Sequence, residues 1–219
     1  MKRLEVSTAD LVAVGGQKHV YRVSGAPDTL VKVVRPDRFH KMPPSKDKVF
    51  RRLGRRLLPS RRRFGPYWEW NRELEEFIAS LARLHTLPTF VPRPLGFVET
   101  TNGIGYLVEH IRSADGTTAP NLRKYVAENG FDERLEVKVN DLFSDIDSYR
   151  FVISDVRASN LVYGRRVGDL DDRIFVVDGL YEATFIRLRT MCGAAFRRFN
   201  IRKRRRLLEE LKKRGRYPN

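Results

Sequence analysis

"FVISDVRASNLVYG", residues 151–164, places an aspartate, an arginine and an asparagine directly after a run of β-branched and aromatic residues. Asp155 and Asn160 stand five apart with Arg157 between them. Read alone, this is an ordinary strand exit, because Asp and Asn readily satisfy backbone groups in turns. Its neighbours in the chain change the reading. Downstream, "RIFVVDG" (173–179) is a second apolar run ending in Asp178-Gly179, and upstream "LVKVV" (30–34) holds one charge, Lys32, among β-branched residues.

Outward from that stretch, the periodicities predict an α+β fold. "LVAVGGQKHVYRV" (11–23) reads as strand, glycine turn, strand. "SGAPDT" is expected to be a turn before the strand "LVKVV", so residues 11–34 form an antiparallel meander. "YWEWNRELEEFIASLARLH" (67–85) is helical, with Trp70, Leu74, Phe77, Ile78, Leu81 and Leu84 expected on its buried face. "VPRPLGFVET" and "GIGYLVEHI" pair around the turn "TNG". Helices are expected near 121–129 and over 133–149, the second burying Leu135, Val139, Leu142, Phe143 and Ile146. "FVIS" is expected to be a short strand, and the chain ends in a cationic helix interrupted near Gly193. The arrangement is a two-lobed single domain: residues 1–109 with a basic insert at 36–66, then 110–219 with a basic helix at 197–214, linked through "EHI".

Composition narrows the function classes. A hydrophobic content of 41% with 11% aromatics argues for a folded core. No stretch has the length of apolar residues a membrane span needs, and "MKRLEVSTAD" lacks the apolar run of a signal peptide. One cysteine, Cys192, and four scattered histidines give neither an internal disulfide nor zinc-ligand spacing. The net charge of +16 is concentrated in two segments. Residues 35–66 carry 12 basic and 2 acidic groups and residues 197–219 carry 11 and 2, which leaves the rest slightly acidic. Such segments attract phosphate-rich partners or serve as solvated helix faces.

Phosphoryl transfer from a nucleoside triphosphate needs flexible backbone at the phosphates, a lysine on them, oxygen ligands for magnesium and a base for the accepting hydroxyl. The order of residues here supplies each in turn. Gly15 and Gly16 form a turn whose backbone can face an anion, although a glycine pair also serves as a plain hairpin. Lys32 needs an anionic partner if buried. Of the helix acids Glu69, Glu73 and Glu76, Glu73 is the expected counter-charge for Lys32, with the other two on a solvated face. Asp155, Asn160 and Asp178 are hard oxygen donors at strand ends, suited to magnesium.

That order resembles the protein-kinase-like fold, and the whole chain resembles the YrbL family of PhoP regulatory network proteins. The similar stretches include "RELEEFIASL", "GFVETTNGIGYLVEHI", "NLVYG", "VVDGLYEATFIRL" and the basic C-terminal helix. The resemblance implies ATP and Mg2+ as cofactors. It implies Asp155 as catalytic base, Arg157 near the transferred phosphoryl group, Asn160 and Asp178 on the metal, and Lys32 on the α- and β-phosphates paired with Glu73. Gly15 and Gly16 would form the phosphate loop, and backbone groups from Glu109 to Ile111 would receive adenine. Departures from the kinase pattern are specific. The glycine loop has two glycines, Ile153-Ser154 stands before the base, Asp178-Gly179 lacks an intervening phenylalanine, and only 40 residues follow Gly179.

The missing peptide platform points to a phosphotransferase acting on a small-molecule or glycolipid hydroxyl rather than on protein. The alternative is a catalytically inactive pseudokinase that binds nucleotide and has a regulatory role. A basic nucleic-acid-binding module is the third reading. Leu207, Leu208 and Leu211 suggest a packed helix and no reading motif is present, so no specific nucleic acid is expected. The expected location is cytoplasmic, with segments 35–66 and 197–219 able to meet an anionic membrane surface or an acidic glycolipid at the inner membrane face.

Overall fold

A computed structural model describes residues 3–38, 63–180 and 193–215. The chain divides into two compact units, Met1–Arg72 with Pro94–Glu109, and Glu73–Arg93 with His110–Asn219. The fold is α+β: an antiparallel sheet and, in the rest of the chain, a mainly helical part.

The first unit is built on five antiparallel strands in the order β1-β2-β3-β5-β4. They are β1 (Leu11–Val14), β2 (Lys18–Val23), β3 (Ala26–Val34), β4 (Pro94–Thr100) and β5 (Gly103–Glu109). The expected turn "SGAPDT" shrinks to Ser24-Gly25, where Gly25 takes a φ of 75°. Pro27 is tolerated in β3 because β5 pairs with that strand only from Thr29 onward. One sheet face buries Tyr21, Val31 and Val33 against Leu11, Val98 and Leu107. On the other face an aromatic cluster forms, with Trp70 5.9 Å from Phe97 and 5.6 Å from Tyr106. Strand alternation puts Lys32 opposite Tyr106 on that second face.

The second unit holds α2 (Leu122–Asn129), α3 (Glu133–Tyr149), the hairpin β6 (Leu161–Gly164) and β7 (Arg173–Val176), and α4 (Gly193–Gly215). The helix α1 (Trp68–Leu84) contributes its residues from Glu73 onward to this unit. Asn121 and Asp132 cap α2 and α3 by accepting from the amides of Lys124 (2.9 Å) and Leu135 (2.8 Å). The five apolar residues expected on α3 are buried, and Leu207 and Leu211 of α4 join them in one core.

Two expectations fail here. On α1 the buried line is Trp70, Glu73, Phe77 and Ser80, while Ile78, Leu81 and Leu84 are exposed, Ile78 by 64%. The buried residues follow three- and four-residue steps on a face rotated from the most apolar one, and two polar side chains occupy it. "FVIS" is not a strand either. Phe151, Val152 and Ile153 are buried, yet their backbone bonds form no ladder: the Phe151 amide donates to the Ile146 carbonyl at 3.2 Å, and the Val152 amide donates to Glu76 Oε2 at 3.3 Å. Most of the basic insert expected at 36–66, residues 39–62, lies outside the described residues.

Candidate active site

The opening stretch folds into a tied loop. After Ile153 the chain passes through Asp155, then a 3-10 turn over Ala158–Asn160 whose Ala158 is fully buried, and enters β6. The Asn160 amide nitrogen donates to the Asp155 carbonyl at 3.1 Å, and the Asn160 backbone amide donates to the Arg157 carbonyl at 2.9 Å. Committing the nitrogen in this way fixes the Asn160 Oδ1 as the oxygen turned away from that bond. The loop is therefore held from inside by the asparagine that the sequence reading singled out.

Asp178 lies two residues past the end of β7, and it is brought to the same loop. The Val177 amide donates to the Asn160 carbonyl at 3.0 Å, and the Ser154 amide donates to the Gly179 carbonyl at 2.8 Å. Ser154 Oγ adds a bond to that carbonyl at 3.2 Å. Gly179 has a φ of 79°, and an added Cβ would stand 3.1 Å from the Asp155 Cβ and 3.3 Å from both its N and O. Only glycine combines that left-handed backbone with such an approach. The Gly179 amide turns back to Asp178 Oδ1 at 2.9 Å, orienting the carboxylate. Asp155, Asn160 and Asp178 thus share one locus through backbone bonds.

Arg157 bears on the site directly. Its Nε lies 2.8 Å from Asp155 Oδ1, with the two side chains 57% and 32% exposed. In this arrangement the guanidinium engages the carboxylate that would act as a base.

In the first unit, Lys32 is 7% exposed, and its Nζ lies 5.9 Å from the Tyr106 ring centre. Glu73, in the second unit, is 4% exposed. Each is buried enough that its ionised form needs a compensating partner. The β1–β2 turn commits the Gly15 amide to the Lys18 carbonyl at 2.8 Å, whereas a Cβ on Gly16 would meet nothing within 4 Å. Glu109 closes β5 opposite Thr29, and the Ile111 carbonyl accepts from Ala119 at 3.1 Å. His110 between them is buried, with Nε2 3.0 Å from Thr118 Oγ1.

The expected solvated face for Glu69 and Glu76 does not appear. Glu69 pairs with Lys18 at 2.9 Å with side chains 13% and 8% exposed, while Glu76 holds the Val152 amide. Lys203 was also missed. Its ammonium donates to the carbonyls of Ile153 and of Ser154, the latter at 2.7 Å, and lies 4.2 Å from the Phe199 ring centre. A signal existed, because Lys203 precedes Leu207 and Leu211 by steps of four and so shares their inward face.

Among the described residues, no group of three or more His, Cys, Asp and Glu is placed to hold a metal ion, and no helix is long and apolar enough to cross a membrane. The family model described as "PhoP regulatory network protein YrbL" matches residues 4–214. The chain belongs to this family. No curated protein matches this YrbL-family chain. Among solved structures it is similar to the crystal structure of Rad53 1-466 in complex with AMP-PNP, at 17% identity and a TM-score of 0.47. That likeness covers 78% of the YrbL-family chain and 38% of the other.

Proposed function

We propose that this YrbL-family protein is an ATP- and magnesium-dependent phosphotransferase acting on a non-protein hydroxyl, of a small molecule or a glycolipid. The observation that carries the reading is the packing of Gly179 on Asp155, which gathers a candidate base and two oxygen donors at one loop. Magnesium commonly takes one or two carboxylates together with substrate phosphates. Asp178, with one oxygen oriented by its own turn, and Asn160, with its nitrogen committed, fit that small donor set.

In this reading Asp155 accepts the proton of the acceptor hydroxyl as its oxygen bonds to the γ-phosphorus and the bond to the ADP oxygen breaks. Asn160 and Asp178 would hold the metal, which would supply positive charge against the phosphate oxygens. Arg157 releases Asp155 and turns to the transferred group. Lys32 would bind the α- and β-phosphates, Gly15 and Gly16 would supply the phosphate turn, and backbone groups of Glu109 to Ile111 would receive the base. The cationic segments 35–66 and 197–219 favour an acceptor or surface rich in phosphate, such as acidic glycolipid at the inner membrane face.

A second reading, a nucleotide-binding pseudokinase with a regulatory role, is favoured by one observation: the Arg157–Asp155 ion pair occupies the candidate base. Turnover of ATP with magnesium, compared between the native protein and Asp155→Asn, separates the two. Loss of turnover in Asp155→Asn, with nucleotide binding retained, supports phosphotransfer. Equal rates contradict it.

A further inference from the structure

Buried backbone carbonyls outside a ladder require donors from elsewhere. "FVIS" is such a segment, and the residues it delivers next are the loop that begins with Asp155. On its downstream side that loop is pinned by Asn160, Val177 and Gly179. On its upstream side, the ammonium of Lys203 donates to the carbonyls of Ile153 and Ser154. An ammonium has three donors, and charge-assisted bonds are roughly twice as strong as neutral ones. The Phe199 ring, one turn earlier on α4, flanks the same ammonium. α4 itself is anchored to α3, where Asn200 donates to Asp147 Oδ1 at 2.6 Å, and to the core through Leu207 and Leu211.

We infer that Lys203 is a positioning residue for the candidate catalytic loop, fixing the backbone immediately before Asp155 from the C-terminal helix. This rests on the phosphotransferase reading for its consequence but not for its geometry. Lys203 touches no reacting atom, and it acts by limiting where the Asp155 backbone can go. The basic helix therefore has two separate uses: an outward cationic face of Arg198, Arg202, Arg205 and their neighbours, and one inward lysine spent on the loop.

The test compares the full chain with Lys203→Met, Lys203→Arg and, as a charge-matched control on the exposed face of α2, Lys124→Met. Amide hydrogen exchange is measured across the protein, alongside kcat and KM for ATP with magnesium. In Lys203→Met, exchange within 152–160 is expected to rise at least tenfold while α3 is unchanged. kcat is expected to fall on the order of 100-fold, the cost of a displacement near 1 Å, with KM within about threefold. Lys203→Arg recovers part of both effects, and Lys124→Met matches the native protein. Unchanged exchange in 152–160, or a rise spread evenly over α2, α3 and α4, overturns the inference. Absence of turnover in the native protein overturns the phosphotransferase reading, and the exchange comparison then decides the role of Lys203 by itself.

Discussion

Replacing Gly179 by alanine probes the packing that assembles the site. Two costs are expected. The φ of 79° places a Cβ in the left-handed region, at roughly 1–2 kcal/mol. The new methyl would also stand 3.1 Å from the Asp155 Cβ and 3.3 Å from its backbone N and O, which are not flexible side-chain ends. Overpacking of that kind costs about 1–3 kcal/mol. Gly168 is the control, because its φ is 90° and an added Cβ would meet nothing within 4 Å. Gly168→Ala should therefore lose about 1–2 kcal/mol and Gly179→Ala about 2–5 kcal/mol in urea denaturation, with unchanged slopes. The difference between them isolates contact with Asp155. Because catalytic groups must be held to within about 0.5 Å, Gly179→Ala should also lower turnover while Gly168→Ala does not. Equal stability losses in the two variants would refute the claim that Gly179 is packed against the aspartate.

Two further outcomes follow from charge burial. Lys18→Met removes the cation paired with Glu69, whose side chain is 13% exposed, and should cost about 3 kcal/mol in a denaturant melt; a joint Lys18→Met/Glu69→Leu change should recover most of it. A loss below about 1 kcal/mol would show that the pair is dispensable. Asp145 on α3 has its carboxyl raised above the usual range, first because burial disfavours the charged form and then because of Asp141, with Arg173 and Thr89 opposing. The folded state therefore binds the proton more tightly than the unfolded state, so this contribution to stability is full below the unfolded value of 3.8 and is lost as pH rises through the raised folded value. Asp145→Asn keeps the neutral form at every pH, so its stability relative to the native protein should grow as pH rises through that window; a difference flat with pH contradicts the assignment.

Much of the fold could be read where one physical signal dominated. The register of α3 was legible because its apolar residues repeat at helical steps with no competing face, and Asp132 marks its start. The sheet was legible from glycine turns between β-branched runs. α1 was misread because Glu73 and Ser80 take buried positions that apolarity alone assigns to Ile78 and Leu81. "FVIS" was misread because a buried apolar run looks like a strand whether its backbone bonds to a neighbour strand or to Glu76 and Lys203. Within the candidate site, the spacing of Asp155, Asn160 and Asp178 carried the grouping. The pairing of Asp155 with Arg157, and of Lys18 with Glu69, depends on rotamers and tertiary approach that spacing does not encode.

The central claim, that Asn160 and Asp178 form a magnesium site beside Asp155, is tested most directly by a crystal structure with a non-hydrolysable ATP analogue and manganese in place of magnesium. An anomalous peak held between Asn160 Oδ1, the Asp178 carboxylate and the nucleotide phosphates, with Arg157 swung off Asp155, is the expected result. Nucleotide bound with no metal at Asn160 and Asp178, or manganese held elsewhere on the chain, would contradict the account.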